Sequence, residues 1–313
     1  MSDEVLYDQQ VIEFLEDIWG DGFLSPGGTD EVRRVLQGVT VDGKLVIDIG
    51  CGSGACAILL AKEYHAKRVV GIDVEKPVCD AAKNRVKAEG LADKVQIQLV
   101  EPGPLPFTND EVDVVFSKDA IIHIPDKETM ALDVFRILKP GGQFAASDWL
   151  ISHDNDPSPQ MADYIKAEGL DFAMASPSRY ANAMKSAGFI DIELVNRNSW
   201  YATEADKELQ WLKGPKRSEL QERHGKDFID HQVEIWSKLV TVLKSGEHCP
   251  HHIRARKPFC IENLINFQEG FPERLRGLIA NIYHFCLNIC FNSNFRVFFY
   301  VKCLTSFECC RTV

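Results

Sequence analysis

The sequence predicts an α/β fold, a mostly parallel sheet with helices on both faces and a helical cap. Three observations point there. Short apolar runs alternate with helix-like segments from residue 44 to 150. One of these runs, Leu45-Val46-Ile47-Asp48-Ile49, leads directly into Gly50-Cys51-Gly52-Ser53-Gly54, a strand entering a tight turn. A second run, Val70-Gly71-Ile72-Asp73, ends on an acid in register behind the first.

In chain order, residues 4–19 read as an amphipathic helix with Val5, Ile12, Leu15 and Trp19 among its apolar members. The glycine-rich stretch 19–28 is either a connector or a lid that touches a ligand and excludes water; its aromatics favour the lid. A helix over 29–38 is expected to start at Thr29 as its cap, with acids in its first turn. Strands fit at 45–49, 68–72, 95–100, 112–116 and 142–148, and helices at 55–64, 76–89 and 127–138. Right-handed crossovers join them. Helices over 158–172 and 177–187 follow, the second opened by Ser176-Pro177 and closed by Gly188. A strand at 189–196, the pair Trp200-Tyr201, polar helices from 204 to 245 and a strand at 251–257 complete the pattern. The polar helices should cover one side of the crevice beyond the carboxyl ends of the strands, and the strands number seven.

Composition bounds the function. With 313 residues, 45% hydrophobic and 26% charged, the chain is long enough for one large domain or two small ones. A net charge of −11 argues against nucleic acid as a partner. Neither a signal peptide nor a membrane span is visible, so the expectation is a cytoplasmic protein with reduced cysteines. After Pro258 the character changes: six of the ten cysteines and nine of the 18 phenylalanines lie there. The expected division is therefore 1–40 (N-terminal helices and lid), 41–258 (the main domain) and 259–313, a Phe/Cys-rich tail not needed for catalysis, with Phe295–Val301 as an aggregation-prone strand. No metal site is expected. Cys286 and Cys290 lack partners for a zinc pattern, and His251 and His252 point to opposite faces of one strand.

The glycine turn is where chemistry enters. Its glycines let a ligand approach the backbone, and the helix behind it presents free N–H groups. By spacing alone, Gly50, Gly52 and Ala55 also fit a dinucleotide loop, with Asp73 placed for a ribose. Asp48 tilts the choice. With Asp48, Val70–Asp73 and Leu138-Lys139-Pro140-Gly141-Gly142, the stretch resembles class I methyltransferases that use S-adenosylmethionine, which have a Rossmann-like seven-stranded sheet. That resemblance implies Asp48 at the methionine end, Asp73 at the ribose hydroxyls and Glu101 near the adenine. Gly50, Gly52, Gly54, Ser117 and Ser25 complete the implied cofactor set.

The second informative stretch is Ser117-Lys118-Asp119-Ala120-Ile121-Ile122-His123-Ile124-Pro125-Asp126. It begins where the strand at 112–116 stops, so its polar residues face the same crevice. Were it a helical turn, Asp119 and His123 would share a face, and the carboxylate would orient the imidazole. The stretch closely resembles phosphoethanolamine N-methyltransferases and, slightly less, sarcosine/dimethylglycine N-methyltransferases, over residues 12 to 257. By that resemblance His123 is the catalytic base or proton relay, and Asp119 an acceptor-side contact.

Departures from the family gather at the acceptor. The tyrosines of the phosphoethanolamine enzymes fall at Leu15, Phe23 and Trp149, and their phosphate-clamping Arg and Tyr at Glu168 and Leu170. Phe23 and Trp149 are the candidate acceptor contacts, Trp149 offering a π face to a methylated ammonium or else packing in the core. The expectation is N-methylation of a small amine, of the phosphoethanolamine or glycine/sarcosine/dimethylglycine type, by a monomer or homodimer. O- or S-methylation of a small acid or thiol, NAD-dependent oxidoreduction and non-catalytic cofactor binding are the alternatives.

Overall fold

The computed structural model describes residues 7–170 and 172–259. Seven strands form one sheet in the order β3-β2-β1-β4-β5-β7-β6. They are β1 (Leu45–Ile49), β2 (Arg68–Asp73), β3 (Val95–Leu99), β4 (Val112–Lys118), β5 (Leu138–Asp148), β6 (Ile190–Asn196) and β7 (His251–Arg256). The first five run parallel, while β7 lies antiparallel to both β5 and β6. The order reverses between β1 and β4, where open α/β sheets hold ligands beyond the carboxyl ends of their strands.

Both faces of the sheet are apolar, so both must be covered. On one face α2 (Gly28–Val35), α3 (Ala55–Lys62) and α4 (Lys76–Ala88) bury Val32, Leu60, Cys79 and Val86 against Val46, Val69, Val114 and Phe116. On the other, α5 (Lys127–Ile137) and α7 (Pro177–Ala187) bury Val134, Ile137, Tyr180 and Met184 against Ile47, Val115 and Phe144. A third cluster lies among α1 (Gln9–Trp19), α6 (Pro159–Glu168), α8 (Asn198–Lys213), α9 (Arg217–His224) and α10 (Lys226–Ser245), built from Phe14, Leu15, Tyr164, Leu212, Trp236 and Leu243. This cluster packs the five helices against one another.

Several expected boundaries shift. Helix α1 starts at Gln9 behind Asp8, whose carboxylate accepts from the Val11 N–H. Thr29 does not cap α2: the cap position is Gly27, in the left-handed region at φ 94° with no side-chain bond. Trp200 and Glu31 explain this, since a Cβ at Gly27 would meet each at 2.6 Å. Strand β5 begins at Leu138, not 142, because Leu138 already pairs with Val112. Helix α6 stops at Glu168, where Gly169 turns left-handed, and α8 begins at Asn198, absorbing Trp200-Tyr201.

The compact unit closes at Pro258. The tail expected over 259–313, Phe259 apart, lies outside the described residues, as do Cys286, Cys290 and the strand expected at Phe295–Val301. Among the described residues no helix is long and apolar enough to cross a membrane, and no group of three or more His, Cys, Asp or Glu could hold a metal. His252 instead bonds the Glu31 carboxylate (Nε2 to Oε1, 2.6 Å). His251 Nδ1 and His248 Nδ1 meet the backbone carbonyls of Cys249 and Leu150.

Candidate active site

The site has two halves, which abut at one close approach. The first half is the turn after β1. Gly50 has φ 67°, and a Cβ there would lie 2.2 Å from the Cβ of Ala120. Only glycine fits, and it brings the turn against the residue that follows Asp119. The Gly50 and Cys51 N–H groups both donate to the Ile72 carbonyl. The Gly52 N–H donates to Asp73 Oδ2 and the Glu75 N–H to Asp73 Oδ1, each at 3.0 Å. Burial raises the Asp73 carboxyl, and these N–H groups partly oppose that.

Asp48 is 1% exposed and its Oδ2 has no hydrogen-bond partner. Burial first, then the charge of Asp73, push it well above the usual carboxylate range. A buried acid with an orphaned oxygen is costly unless something satisfies it. The cationic amino end of a ligand beyond β1 would do so, and this fits the implied cofactor.

Other members of the predicted cofactor set have different surroundings. The Ser117 hydroxyl is buried and donates to the Ile49 carbonyl at 2.8 Å, tying β4 to β1. A Cβ on Gly54, the cap of α3, would meet Ala82 of α4 at 3.0 Å, so its smallness serves helix packing. Glu101 sits exposed on the turn after β3.

The second half is a cavity of about 350 Å³. It opens between α1, α10, residues 168–170, Phe172 and the ends of β4 and β5, and it gathers Ser25, Asp119, His123 and Trp149 from the predicted set. Phe23 is not among its lining residues: it packs against the core beneath α2 and α3, and Leu24 lines the cavity in its place.

Asp119 and His123 do share the cavity, but not as one helical face. Asp119 is in the left-handed region (φ 54°), and only Ile121–His123 form a 3-10 turn. The Asp119 carboxylate accepts from Lys118 Nζ (2.8 Å) and from the Tyr201 hydroxyl (3.2 Å). His123 Nδ1 lies 2.9 Å from the Leu170 carbonyl. A carbonyl can only accept, so Nδ1 carries the hydrogen and Nε2 is the basic nitrogen. The ring of Tyr7 meets His123 edge-on at 6.4 Å, and Phe172 lies 5.6 Å away on another side.

Buried polar groups hold the 3-10 turn. Asp148 Oδ1 accepts from the Ile122 N–H at 2.9 Å, and its other oxygen accepts from Tyr180. Lys127 Nζ donates to the carbonyls of Ile121 (2.7 Å) and Ile124 (2.5 Å), which flank His123. Burial pushes Asp148 up to about 7 and Lys127 down to about 8.

Sequence reasoning missed the residues that join these parts. Lys118 donates to Ser25 Oγ (2.6 Å) and the Pro26 carbonyl (2.8 Å), stapling the glycine-rich loop to Asp119. Arg85 on α4 donates to the Ser53 carbonyl (2.7 Å), Glu16 and Asp21, drawing α1 onto the glycine turn. Tyr7 and Tyr201 reach His123 and Asp119 from elements far apart in sequence. Only Lys118 carried a local signal, as a cation next to the candidate acid.

The sheet order, the glycine turn and the adjoining cavity agree with the class I methyltransferase resemblance read in the sequence. Residues 46–142 match the family model described as a methyltransferase domain. Phosphoethanolamine N-methyltransferase 1 of Zea mays is 30% identical over 246 residues, 78% of this chain and 48% of that protein. The enzyme of the same name from Arabidopsis thaliana is 29% identical over the same length, 49% of its own. The chain thus spans about half the length of the curated relatives it matches. Among solved structures, phosphoethanolamine N-methyltransferase 2 of Haemonchus contortus, in complex with phosphomonomethylethanolamine and S-adenosylhomocysteine, superposes with a TM-score of 0.75 at 26% identity, covering 82% of this chain and 59% of that one. A Galdieria sulphuraria protein assigned as a sarcosine dimethylglycine methyltransferase has the same fold, with a TM-score of 0.70 at 19% identity over 80% of this chain and 99% of its own. These relatives are methyltransferases and lend no support to the nicotinamide oxidoreductase alternative.

Proposed function

We propose that this chain is an S-adenosylmethionine-dependent methyltransferase that methylates the nitrogen of a small amine. The observation that carries the reading is the close approach at Gly50 and Ala120. It sets a turn with an orphaned buried acid, Asp48, directly against the cavity that holds Asp119 and His123.

When bound, S-adenosylmethionine supplies an activated methyl group, which passes to the acceptor nitrogen as the carbon–sulfur bond breaks. Asp48 would hold the amino end of the cofactor, Asp73 its ribose hydroxyls and Glu101 the region of the adenine. The aromatic walls and the cap exclude water from the acceptor and align it. An ammonium acceptor must lose a proton, and His123 Nε2 is the base for it. Asp119, held by Lys118 and Tyr201, would orient the amine. Trp149, on the cavity wall with its indole N–H buried and unpartnered, is an acceptor contact. The net charge of −11 supports a small-molecule acceptor over a nucleic acid, and the free state of Cys51, Cys56, Cys79 and Cys249 supports a reducing, cytosolic setting.

The test is S-adenosylhomocysteine release by the full chain with a panel of amines, carboxylates and thiols. Turnover of amines supports the reading. Turnover only of carboxylates or thiols would replace it with O- or S-methylation. O-methylation has some support in a 28% identity over 158 residues to an O-methyltransferase of Penicillium expansum.

A further inference from the structure

The cavity's chemistry narrows the acceptor, on the reading that this is a methyltransferase site. Its walls are apolar and aromatic, with Phe14, Leu15, Phe172, Phe228, Ile235 and Trp236 prominent. It holds two carboxyls, Asp119 and Glu168, and no lysine or arginine among the described lining residues. Its other polar groups include His123, His231, Gln232, Ser25, the Tyr7 hydroxyl and the indole N–H groups of Trp19 and Trp149, the Trp19 N–H being taken by Glu208.

Lys118 stands nearby, but its three hydrogens go to Ser25, Pro26 and Asp119. A bound phosphate is held best by charged donors; the donors here are neutral side chains, with no lysine or arginine among the described lining residues and a carboxyl, Glu168, on the wall. Asp119 is neutralised by Lys118. No cation among the described residues forms an ion pair with Glu168, and burial pushes its carboxyl up to about 7, the Tyr164 hydroxyl opposing. The Trp149 N–H, buried without a partner, can serve an uncharged oxygen of the acceptor.

We propose that the cavity takes an unphosphorylated amine with an apolar or aromatic body, and that Glu168, on the cavity wall, selects it by pairing with its ammonium group. Glu168 is thus a specificity-determining residue.

The experiment is calorimetric titration of the full chain, saturated with S-adenosylhomocysteine, with 2-phenylethylamine and with phosphoethanolamine. The expected result is tighter binding of 2-phenylethylamine. Glu168→Gln should weaken it roughly 10- to 100-fold without moving the affinity for S-adenosylhomocysteine. Glu168→Arg should invert the preference. Tighter binding of phosphoethanolamine, no binding of 2-phenylethylamine, or an amine affinity unchanged in Glu168→Gln would each overturn the proposal. Failure to bind S-adenosylhomocysteine at all would instead strike the methyltransferase reading, so the two failures are distinct.

Discussion

Replacing Gly50 by alanine tests whether the close approach to Ala120 holds the two halves of the site together. Two costs arise. A residue with a Cβ at φ 67° loses about 1–2 kcal/mol. The new Cβ would also lie 2.2 Å from that of Ala120, whereas carbons rest about 3.5–4.0 Å apart. Ala120 must therefore retreat by about 1.5 Å, or the turn must. Overpacking of this kind costs typically about 1–3 kcal/mol, so the expected total is roughly 2–5 kcal/mol. For a domain of this size that lowers Tm by roughly 5–15 °C. Thermal and urea unfolding measure it. The double variant Gly50→Ala/Ala120→Gly should recover the packing part and leave the backbone part. The reasoning fails if Gly50→Ala is as stable as the wild type, or if Ala120→Gly recovers nothing.

Three further outcomes are expected. His123→Ala should lower turnover far more than affinity for S-adenosylhomocysteine; equal losses would make His123 a structural residue. Lys127→Met removes the donor to the carbonyls of Ile121 and Ile124 and should lower kcat about tenfold through misplacement of His123, with cofactor affinity unchanged; a variant with normal kcat would show that the 3-10 turn holds without it. Burial alone would raise the Glu31 carboxyl, but hydrogen bonds from His252 and Arg197 outweigh it and hold it at about 2. Because this folded-state value lies below the ordinary one of 4.5, its contribution is present above pH 4.5 and is lost as the pH falls towards 2. The stability gap between wild type and Glu31→Gln, from urea unfolding, should therefore shrink by roughly 3 kcal/mol across that window, and a constant gap would refute the assignment.

Local signals carried the sheet. Apolar runs of strand length, glycines at a turn and acids at strand ends are properties of neighbouring residues, so seven strands and the glycine turn could be read in order. Helix ends were read less well, because caps respond to distant groups: Gly27 is shaped by Trp200 and Glu31, not by Thr29. In the site, Asp119 and His123 were legible as a motif at a strand end. Their partners were not. The spacing of four suggested a shared helical face, yet Asp119 turns left-handed and binds Lys118 and Tyr201. Phe23 was a candidate because a tyrosine of the resembled family falls at its position; in the fold it packs, partly buried, against the core beneath α2 and α3.

What the sequence determined by itself is the α/β class, the turn with Asp48 and Asp73, and the presence of an acid and an imidazole beyond β4. These follow from short-range patterning and backbone sterics. Only the tertiary structure decided which side chains meet: Arg85 with α1, Tyr7 with His123, Lys118 with the glycine-rich loop, and Glu168 with an aromatic cavity. Such meetings depend on how α1, α6 and α10 pack over the strand ends, and packing between elements far apart in the chain leaves no periodic mark in the sequence.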